Sequence, residues 1–213
     1  MQHNKIKTLF LAAAMVTSGM MMGADARAEG ITAAALANTC AGCHGTNGVA
    51  VGPAMPTIAG QPAAHLVNMM KEFKSGERPA TIMDRIAKGY SDEEITELSK
   101  YLATQKWGNN VANARLSMKT GTPFNQVDDA LVAKGAKLHE SLKCKKCHED
   151  NGRSMEDDTP RVAGQWQDYL LIKMQDYKNP DMKVPQPKKM KKNIDNASLE
   201  ELEAIAHFYA SQK

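Results

Sequence analysis

The sequence predicts an all-α fold made of two homologous helical modules. Apolar residues recur at intervals of three and four in several segments, and no segment shows the convincing alternation that marks a strand. The second half also repeats the first, since PTIAGQ at 56–61 matches PRVAGQ at 160–165 at an offset of 104 residues. We therefore place the modules at 29–112 and 129–213, with a linker at 113–128.

Three segments of the first module have helical character. The Ala-rich segment 31–39 leads into a cysteine motif. Residues 63–75 predict a helix because four apolar side chains share one face: Leu66, Met69, Met70 and Phe73. Ser91 and Glu94 match a capping box at the start of the last helix. That helix carries apolar residues at helical spacing: Ile95, Leu98 and Leu102.

The second module repeats this plan. Its helices are predicted at 129–144, 167–177 and 198–211, and Ser198 with Glu201 forms the matching capping box. Linker composition extends from Trp107 to the start of the second module and contains turn-forming residues: Gly108, Asn109, Asn110, Gly121 and Pro123.

The composition is that of an ordinary globular chain with few aromatic residues. The 213 residues are 42% apolar and 24% charged. Only 5% of the residues are aromatic, so few large side chains are available to fill two small hydrophobic cores. Small domains often need a cofactor, a metal or a disulfide for stability, so this composition favours a buried cofactor. The net charge of +3 is too small to indicate a nucleic-acid partner.

Residues 1–28 have the pattern of a secretory signal peptide. Lys5 and Lys7 precede an apolar run at 9–23, and Ala-Arg-Ala at 26–28 offers a cleavage site. We therefore expect an exported, periplasmic protein, with a retained membrane anchor as the alternative. No second apolar run is long enough to cross a bilayer, so we expect no transmembrane segment in the mature chain.

The four cysteines all lie in two Cys-x-x-Cys-His strings, and this string is the attachment signature of c-type haem. On a helical turn, positions i, i+3 and i+4 share one face, so both thiols can form thioethers while the histidine points at the iron. We therefore predict two covalently bound haem c groups. The attachment residues are Cys40, Cys43, Cys144 and Cys147, and the iron ligands of these motifs are His44 and His148.

Two other interpretations of the cysteine motifs exist. They are a pair of thioredoxin-like redox sites and a pair of zinc half-sites. The zinc interpretation lacks a second Cys/His pair near each motif, and the redox interpretation leaves both histidines unexplained. The haem interpretation uses every cysteine and both histidines, so we prefer it.

Haem iron takes two axial ligands, and methionine opposite histidine is typical of electron-transfer proteins. Met83 and Met190 are a repeat-matched pair, and each is expected in a proline-containing loop before the last helix. They follow His44 and His148 by 39 and 42 residues, far enough to reach the opposite haem face. We predict these methionines as the second ligands. A distal histidine is the alternative, with candidates that have no histidine at the equivalent repeat position: His65, His139 and His207.

Pro56 and Pro160 each lie 12 residues after the histidine of their module. A backbone carbonyl there can accept a hydrogen bond from the histidine Nδ1–H and fix the tautomer that binds iron. We expect this role for both prolines. The alternative is that they only shape the loop.

The pattern resembles the di-haem class of c-type cytochromes over nearly the whole chain after the signal segment. That class contains the cytochrome c4 carriers and the cytochrome subunit of flavocytochrome c sulfide dehydrogenase. Shared features are CAGCHG at 40–45, IAGQ at 58–61 and FKSGER at 73–78. Further stretches are more similar to the sulfide dehydrogenase subunit: 51–60, 78–90, 147–153 and 188–190.

The resemblance implies two cytochrome c-like helical modules with one haem each, and it maps the iron ligands onto His44, Met83, His148 and Met190. It also implies a FAD-containing flavoprotein partner that oxidises sulfide, with no catalytic residues in this chain. We therefore expect the cytochrome subunit of a sulfide-oxidising flavocytochrome c, passing electrons to a downstream acceptor. A free periplasmic di-haem carrier of the cytochrome c4 type is the first alternative. A di-haem peroxidase is another, but it needs an open iron site.

Lysines cluster around the second haem motif and around Met190. The ordinary interpretation of such a charge run is a solvated face. A functional interpretation is that these lysines dock a small acidic redox acceptor by electrostatic steering. The cluster consists of Lys143, Lys145, Lys146, Lys188, Lys189, Lys191 and Lys192.

Overall fold

The computed structural model describes residues 31–108, 127–156 and 159–212. The predicted signal peptide at 1–28 lies outside these residues, as do most of the predicted linker and its boundary at 112. From Ile31 onward the chain forms one compact unit. Within the described ranges, no helix is long and apolar enough to pass through a membrane.

The first module is built of short helices, and no strand occurs in any described part of the chain. In chain order its elements are α1 (Ala33–Asn38), α2 (Ala41–His44), a 3₁₀ turn (Thr46–Gly48), α3 (Ala63–Ser75), α4 (Met83–Ala87) and α5 (Asp92–Thr104).

The second module has a similar plan, but its 3₁₀ turn precedes the short helical segment after the cysteine motif. Its elements are α6 (Asp129–Ser141), a 3₁₀ turn (Cys144–Lys146), α7 (Glu149–Gly152), α8 (Gln167–Lys178), α9 (Lys188–Asn196) and α10 (Leu199–Ser211). The segment α7 is one irregular turn, because Asp150 and Asn151 have positive φ values of 44° and 55°. The all-α prediction is confirmed.

Most predicted helices have the expected bounds. The helix predicted at 63–75 is confirmed at both ends, and the helix predicted at 167–177 extends one residue further. The helix predicted at 129–144 ends early, at Ser141. Lys143 has a φ of 60°, and a residue in this left-handed conformation cannot continue an α-helix. The second cysteine motif therefore starts after a break in the backbone.

Both predicted capping boxes are present. Glu94 N donates to Ser91 Oγ over 3.1 Å, and Ser91 N donates to Glu94 Oε2 over 2.7 Å. The equivalent distances between Ser198 and Glu201 are 3.2 and 2.9 Å. Each box satisfies two backbone N–H groups that have no partner inside the helix.

Replacing Ser198 by alanine is expected to lower the free energy of unfolding by about 1 kcal/mol, because α10 loses its N-terminal cap. Urea denaturation of the haem-loaded protein measures this change. Ser141, which is exposed at the end of α6, offers a control on another helix. An equal loss in Ser198→Ala and Ser141→Ala would show that the cap contributes nothing specific.

The core of the first module consists of two small clusters. One joins α1, α3 and α5 through buried leucines: Leu36, Leu66, Leu98 and Leu102. The other joins α3, α4 and α5 through Met70, Ala87 and Ile95. The second cluster holds α4, and with it Met83, against the rest of the module.

The core of the second module is arranged around α10. Leu202, Ile205 and Tyr209 are each 2% exposed, and α6 and α8 pack on this helix. The two helices α6 and α10 approach closely at Gly135 of α6, where an added Cβ would be 2.1 Å from the Ala204 carbonyl oxygen. Helices α6 and α10 can therefore cross closely only because residue 135 has no side chain.

Candidate haem-binding sites

The first Cys-x-x-Cys-His motif forms a helical turn. Cys43 N and His44 N both donate to the Cys40 carbonyl, over 3.2 and 2.9 Å. Cys40 is half-buried and Cys43 is exposed, and both are free thiols. Burial raises the pKa of the Cys40 thiol, with an opposing hydrogen bond from Thr39. The predicted i, i+3, i+4 arrangement is therefore present, with two thiols and an imidazole on adjacent turns of the backbone.

The second motif makes the same backbone bonds. Cys147 N and His148 N donate to the Cys144 carbonyl over 3.2 and 2.9 Å, and both cysteines are free thiols. The surrounding backbone differs, since Lys143 and Asp150 have positive φ values where Thr39 and Thr46 of the first module do not. The two motifs thus share a turn but enter and leave it differently.

His44 is held in the tautomer that a haem ligand needs. Its Nδ1 lies 2.9 Å from the Pro56 carbonyl oxygen. A carbonyl can only accept, so Nδ1 carries the proton and Nε2 keeps its lone pair. Burial lowers the pKa of His44, and the bond to Pro56 partly opposes this effect. The ring is therefore neutral at neutral pH, and the hydrogen bond predicted for Pro56 is confirmed.

His148 has a different environment. Its buried Nδ1 makes no hydrogen bond among the described residues. Burial lowers the pKa of His148 to about 4, His139 contributes in the same direction, and the Pro160 carbonyl opposes both. The Pro160 carbonyl therefore acts on the His148 ring as the expected acceptor, but this contact does not have the geometry of the bond between His44 and Pro56.

Met83 and Met190 each lie in the helix that precedes the last helix of their module. Met83 is the first residue of α4 and Met190 is the third residue of α9, so the expectation that they lie in loops was wrong. Both are half-buried, Met83 beside Met70, Ala87 and Ile95, and Met190 against the core of the second module. Their role as iron ligands stays a prediction.

The histidines outside the motifs have packing contacts. His139 Nδ1 lies 2.9 Å from Tyr209 Oη, which joins α6 to α10. His207 Nδ1 accepts from Asp128 N over 3.1 Å and so fixes the start of α6. His65 of α3 lies near enough to His148 to lower its pKa. The structure thereby brings a first-module histidine towards the second site, which no local sequence signal had indicated.

The side chains around the first motif fit a haem group. Val51, Met55, Ile82 and Ile86 are all exposed, and they flank the predicted ligands in sequence. A flat apolar macrocycle would remove such side chains from water. In the second module, Trp166 is fully buried, yet its Nε1 has no acceptor among the described residues. Haem carries two propionates, which are acceptors of the kind that this donor lacks.

The repeated PTIAGQ and PRVAGQ segments join the two modules. Gln61 Nε2 donates to Arg161 O, and Arg161 N donates to Gln61 Oε1, both over 2.9 Å. In the same way, Gln165 Nε2 donates to Thr57 O and Thr57 N donates to Gln165 Oε1, both over 3.0 Å. Each module therefore clamps one backbone position of the other. The sequence showed these segments as a repeat without indicating the contact.

Glycines and one tryptophan position this interface. Gly60 and Gly164, which precede the glutamines, have φ values of 64° and 74°, a conformation that other residues rarely adopt. Trp107, which the composition assigned to the linker, lies under the Arg161 guanidinium at 4.9 Å. Trp107, which the sequence analysis placed in the linker, thus contributes to the contact between the two modules.

The family model of cytochrome c matches this chain twice, over residues 28–106 and 132–213. The fold is similar to that of reduced recombinant cytochrome c4 from Pseudomonas stutzeri, with a TM-score of 0.69 and 21% identity. That similarity covers 85% of this chain and 98% of the other chain.

The curated relatives include several cytochromes and an electron acceptor by name. The chain is 26% identical to cytochrome c4 of Pseudomonas aeruginosa over 170 residues, which are 79% of this chain and 80% of the relative. It is 28% identical to the thiosulfate dehydrogenase electron acceptor of Stutzerimonas stutzeri, covering 82% and 79%. The cytochrome subunit of sulfide dehydrogenase from Chlorobaculum tepidum is 41% identical over 66 residues, which are 31% of this chain and 59% of that protein.

The family matches span both helical repeats and include both cysteine motifs. The turns at these motifs have the same hydrogen bonds, and the tautomer of His44 suits an iron ligand. The chain therefore belongs to the cytochrome c family, as a di-haem protein with two cytochrome c domains and two covalently bound haem c groups.

Proposed function

We propose that each module binds its haem iron between one histidine and one methionine, His44 with Met83 and His148 with Met190. The observation that carries this proposal is the His44 Nδ1–H bond to Pro56, which leaves Nε2 free for the iron. When bound, the haem supplies a one-electron redox change. The chain holds the haem covalently through thioethers at Cys40, Cys43, Cys144 and Cys147.

The function that follows is electron transfer, since the chain is a di-haem carrier of cytochrome c4 organisation. Two haem-bearing modules in one compact unit allow an electron to pass between them without dissociation of a complex. We place the protein in the periplasm, on the basis of the signal-peptide pattern at 1–28. As a free carrier it would link an exported dehydrogenase to a downstream acceptor, and relatives that match about four fifths of both chains support this role.

A second candidate is the cytochrome subunit of a sulfide-oxidising flavocytochrome c with a FAD-containing partner. It is supported by the 41% identity over 66 residues and by the similar stretches at 51–60 and 78–90. Both candidate functions use the same haems to transfer electrons, and they differ in whether the chain stays bound to its electron donor. A flavocytochrome subunit forms a stable complex with the donor, whereas a free carrier must dissociate from it.

Lysines on α9 supply a docking surface for a small acidic acceptor in either case. Lys188, Lys189 and Lys192 are exposed, while Lys191 is paired with Asp195 over 2.8 Å. Exposed charges of one sign speed the association of an oppositely charged partner. Their position on the helix that carries Met190 favours electron exit from the second haem.

Purification of the protein from its native periplasmic fraction separates the candidates. We expect two haems per chain that resist acid–acetone extraction. Extractable haem, or a single retained haem, would contradict the double attachment, and Cys144→Ser is expected to lose only the second haem.

Co-elution with a flavin-bearing subunit on size exclusion identifies the flavocytochrome, whereas a flavin-free cytochrome that elutes alone identifies the carrier.

A further inference from the structure

The peptide unit between Pro56 and Thr57 is hydrogen-bonded at both of its polar atoms. Its carbonyl accepts from His44 Nδ1 over 2.9 Å, and its N–H donates to Gln165 Oε1 over 3.0 Å. Gln165 belongs to the second module. The chain of groups is shielded from water, since Thr57 is 1%, Gln165 3% and His44 8% exposed. A side chain of one module is thus one peptide away from the iron-ligand hydrogen bond of the other.

Hydrogen bonds in such a chain polarise one another. Donation from a peptide N–H increases the negative charge on the carbonyl of the same peptide, which becomes a stronger acceptor. A stronger acceptor at Nδ1–H makes the imidazole a more basic ligand. A more basic ligand stabilises ferric iron relative to ferrous iron and lowers the reduction potential.

We propose that Gln165 is a positioning residue that tunes the reduction potential of the first-module haem across the interface, through the Pro56–Thr57 peptide. The inference rests on the proposed ligation of iron by His44. If Gln165 acts in this way, the reduction potential of the first haem is lowered only while the second module is docked against the first. Separation of the modules would raise the potential of the first haem.

The pseudo-symmetric residue provides a matched control. Gln61 makes the same two bonds to Arg161, at the same interface and at similar distances. The peptide that Gln61 contacts follows Pro160, which faces His148 of the second module and not His44. Loss of Gln61 therefore removes equal interface contacts without affecting a ligand hydrogen bond of the first haem.

The test compares Gln165→Met with Gln61→Met in the haem-loaded protein. Potentials of both haems are measured by redox titration, and the His44 Nδ1–H signal by NMR of the ferrous form. In Gln165→Met we expect the first potential to rise and the Nδ1–H signal to move upfield, while Gln61→Met changes neither. Gln165→Glu keeps an acceptor for Thr57 N–H, and the O–H of the buried, neutral acid replaces the Nε2 donor to Thr57 O. We therefore expect this variant to keep both observables near those of the unmodified protein.

Three outcomes would count against these assignments, and each has its own signature. If Gln61→Met raises the first potential as much as Gln165→Met, the effect is general loosening and the inference fails. If the Nδ1–H signal is the same in Gln165→Met, Gln165→Glu and the unmodified protein, it also fails. If the His44 ring protons show no haem ring-current shift in the unmodified protein, the ligand assignment itself is wrong.

Discussion

Replacing Met83 or Met190 by alanine is expected to remove about half of the near-infrared sulfur-to-iron charge-transfer band and to lower the potential of one haem only. The thioether sulfur stabilises ferrous iron, so its loss favours the ferric state. Each methionine belongs to a different module, so the two losses are expected to add in the double variant. Near-infrared absorption of the oxidised protein and redox titration measure both effects.

The neighbouring methionines separate ligand loss from packing loss. Met70 is buried in the cluster against which Met83 packs, and Met174 packs on the core that also contacts Met190. We expect Met70→Ala and Met174→Ala to destabilise the fold while the charge-transfer band keeps its full intensity. If either variant lost half the band and the Met83 and Met190 variants did not, the ligand assignment would be overturned.

Replacing Gly135 by alanine is expected to lower the free energy of unfolding by about 2 to 3 kcal/mol. The new Cβ would lie 2.1 Å from the Ala204 carbonyl oxygen and 2.6 Å from the Phe208 Cβ. A backbone oxygen in the middle of α10 cannot rotate away, so α6 and α10 must separate. That movement also stretches the hydrogen bond between His139 and Tyr209. Urea denaturation of the haem-loaded protein measures the loss.

The exposed Ala133 of the same helix is the control for Gly135. Ala133→Ser adds one heavy atom on the solvent side, and we expect little change in the denaturation midpoint. Alanine normally stabilises a helix by about 1 kcal/mol relative to glycine. A Gly135→Ala variant more stable than the unmodified protein would therefore mean that helix propensity outweighs the clash and that α6 and α10 do not need their close crossing.

Short-range patterns were sufficient for the helices and the haem-attachment turns. The capping boxes at Ser91 and Ser198 depend on residues three apart, and the cysteine motifs depend on i, i+3 and i+4 positions, so both can be recognised locally. The sequence missed the helical state of Met83 and Met190. Helix α4 has only five residues, and the apolar face of α9 consists of only two side chains, Met190 and Ile194, so neither face is long enough to be recognised from the sequence.

The repeat, the all-helical class and the haem-attachment residues were therefore determined by the sequence itself, because local spacing dictates them. Only the tertiary structure placed Gln165 on the Thr57 backbone and Trp107 under Arg161. It also decided that His44 has a well-formed bond to its proline carbonyl, a geometry that the contact between His148 and Pro160 lacks. These contacts join residues that are distant in sequence or depend on how the backbone enters a turn, and the packing of the two modules decides their geometry rather than any local pattern.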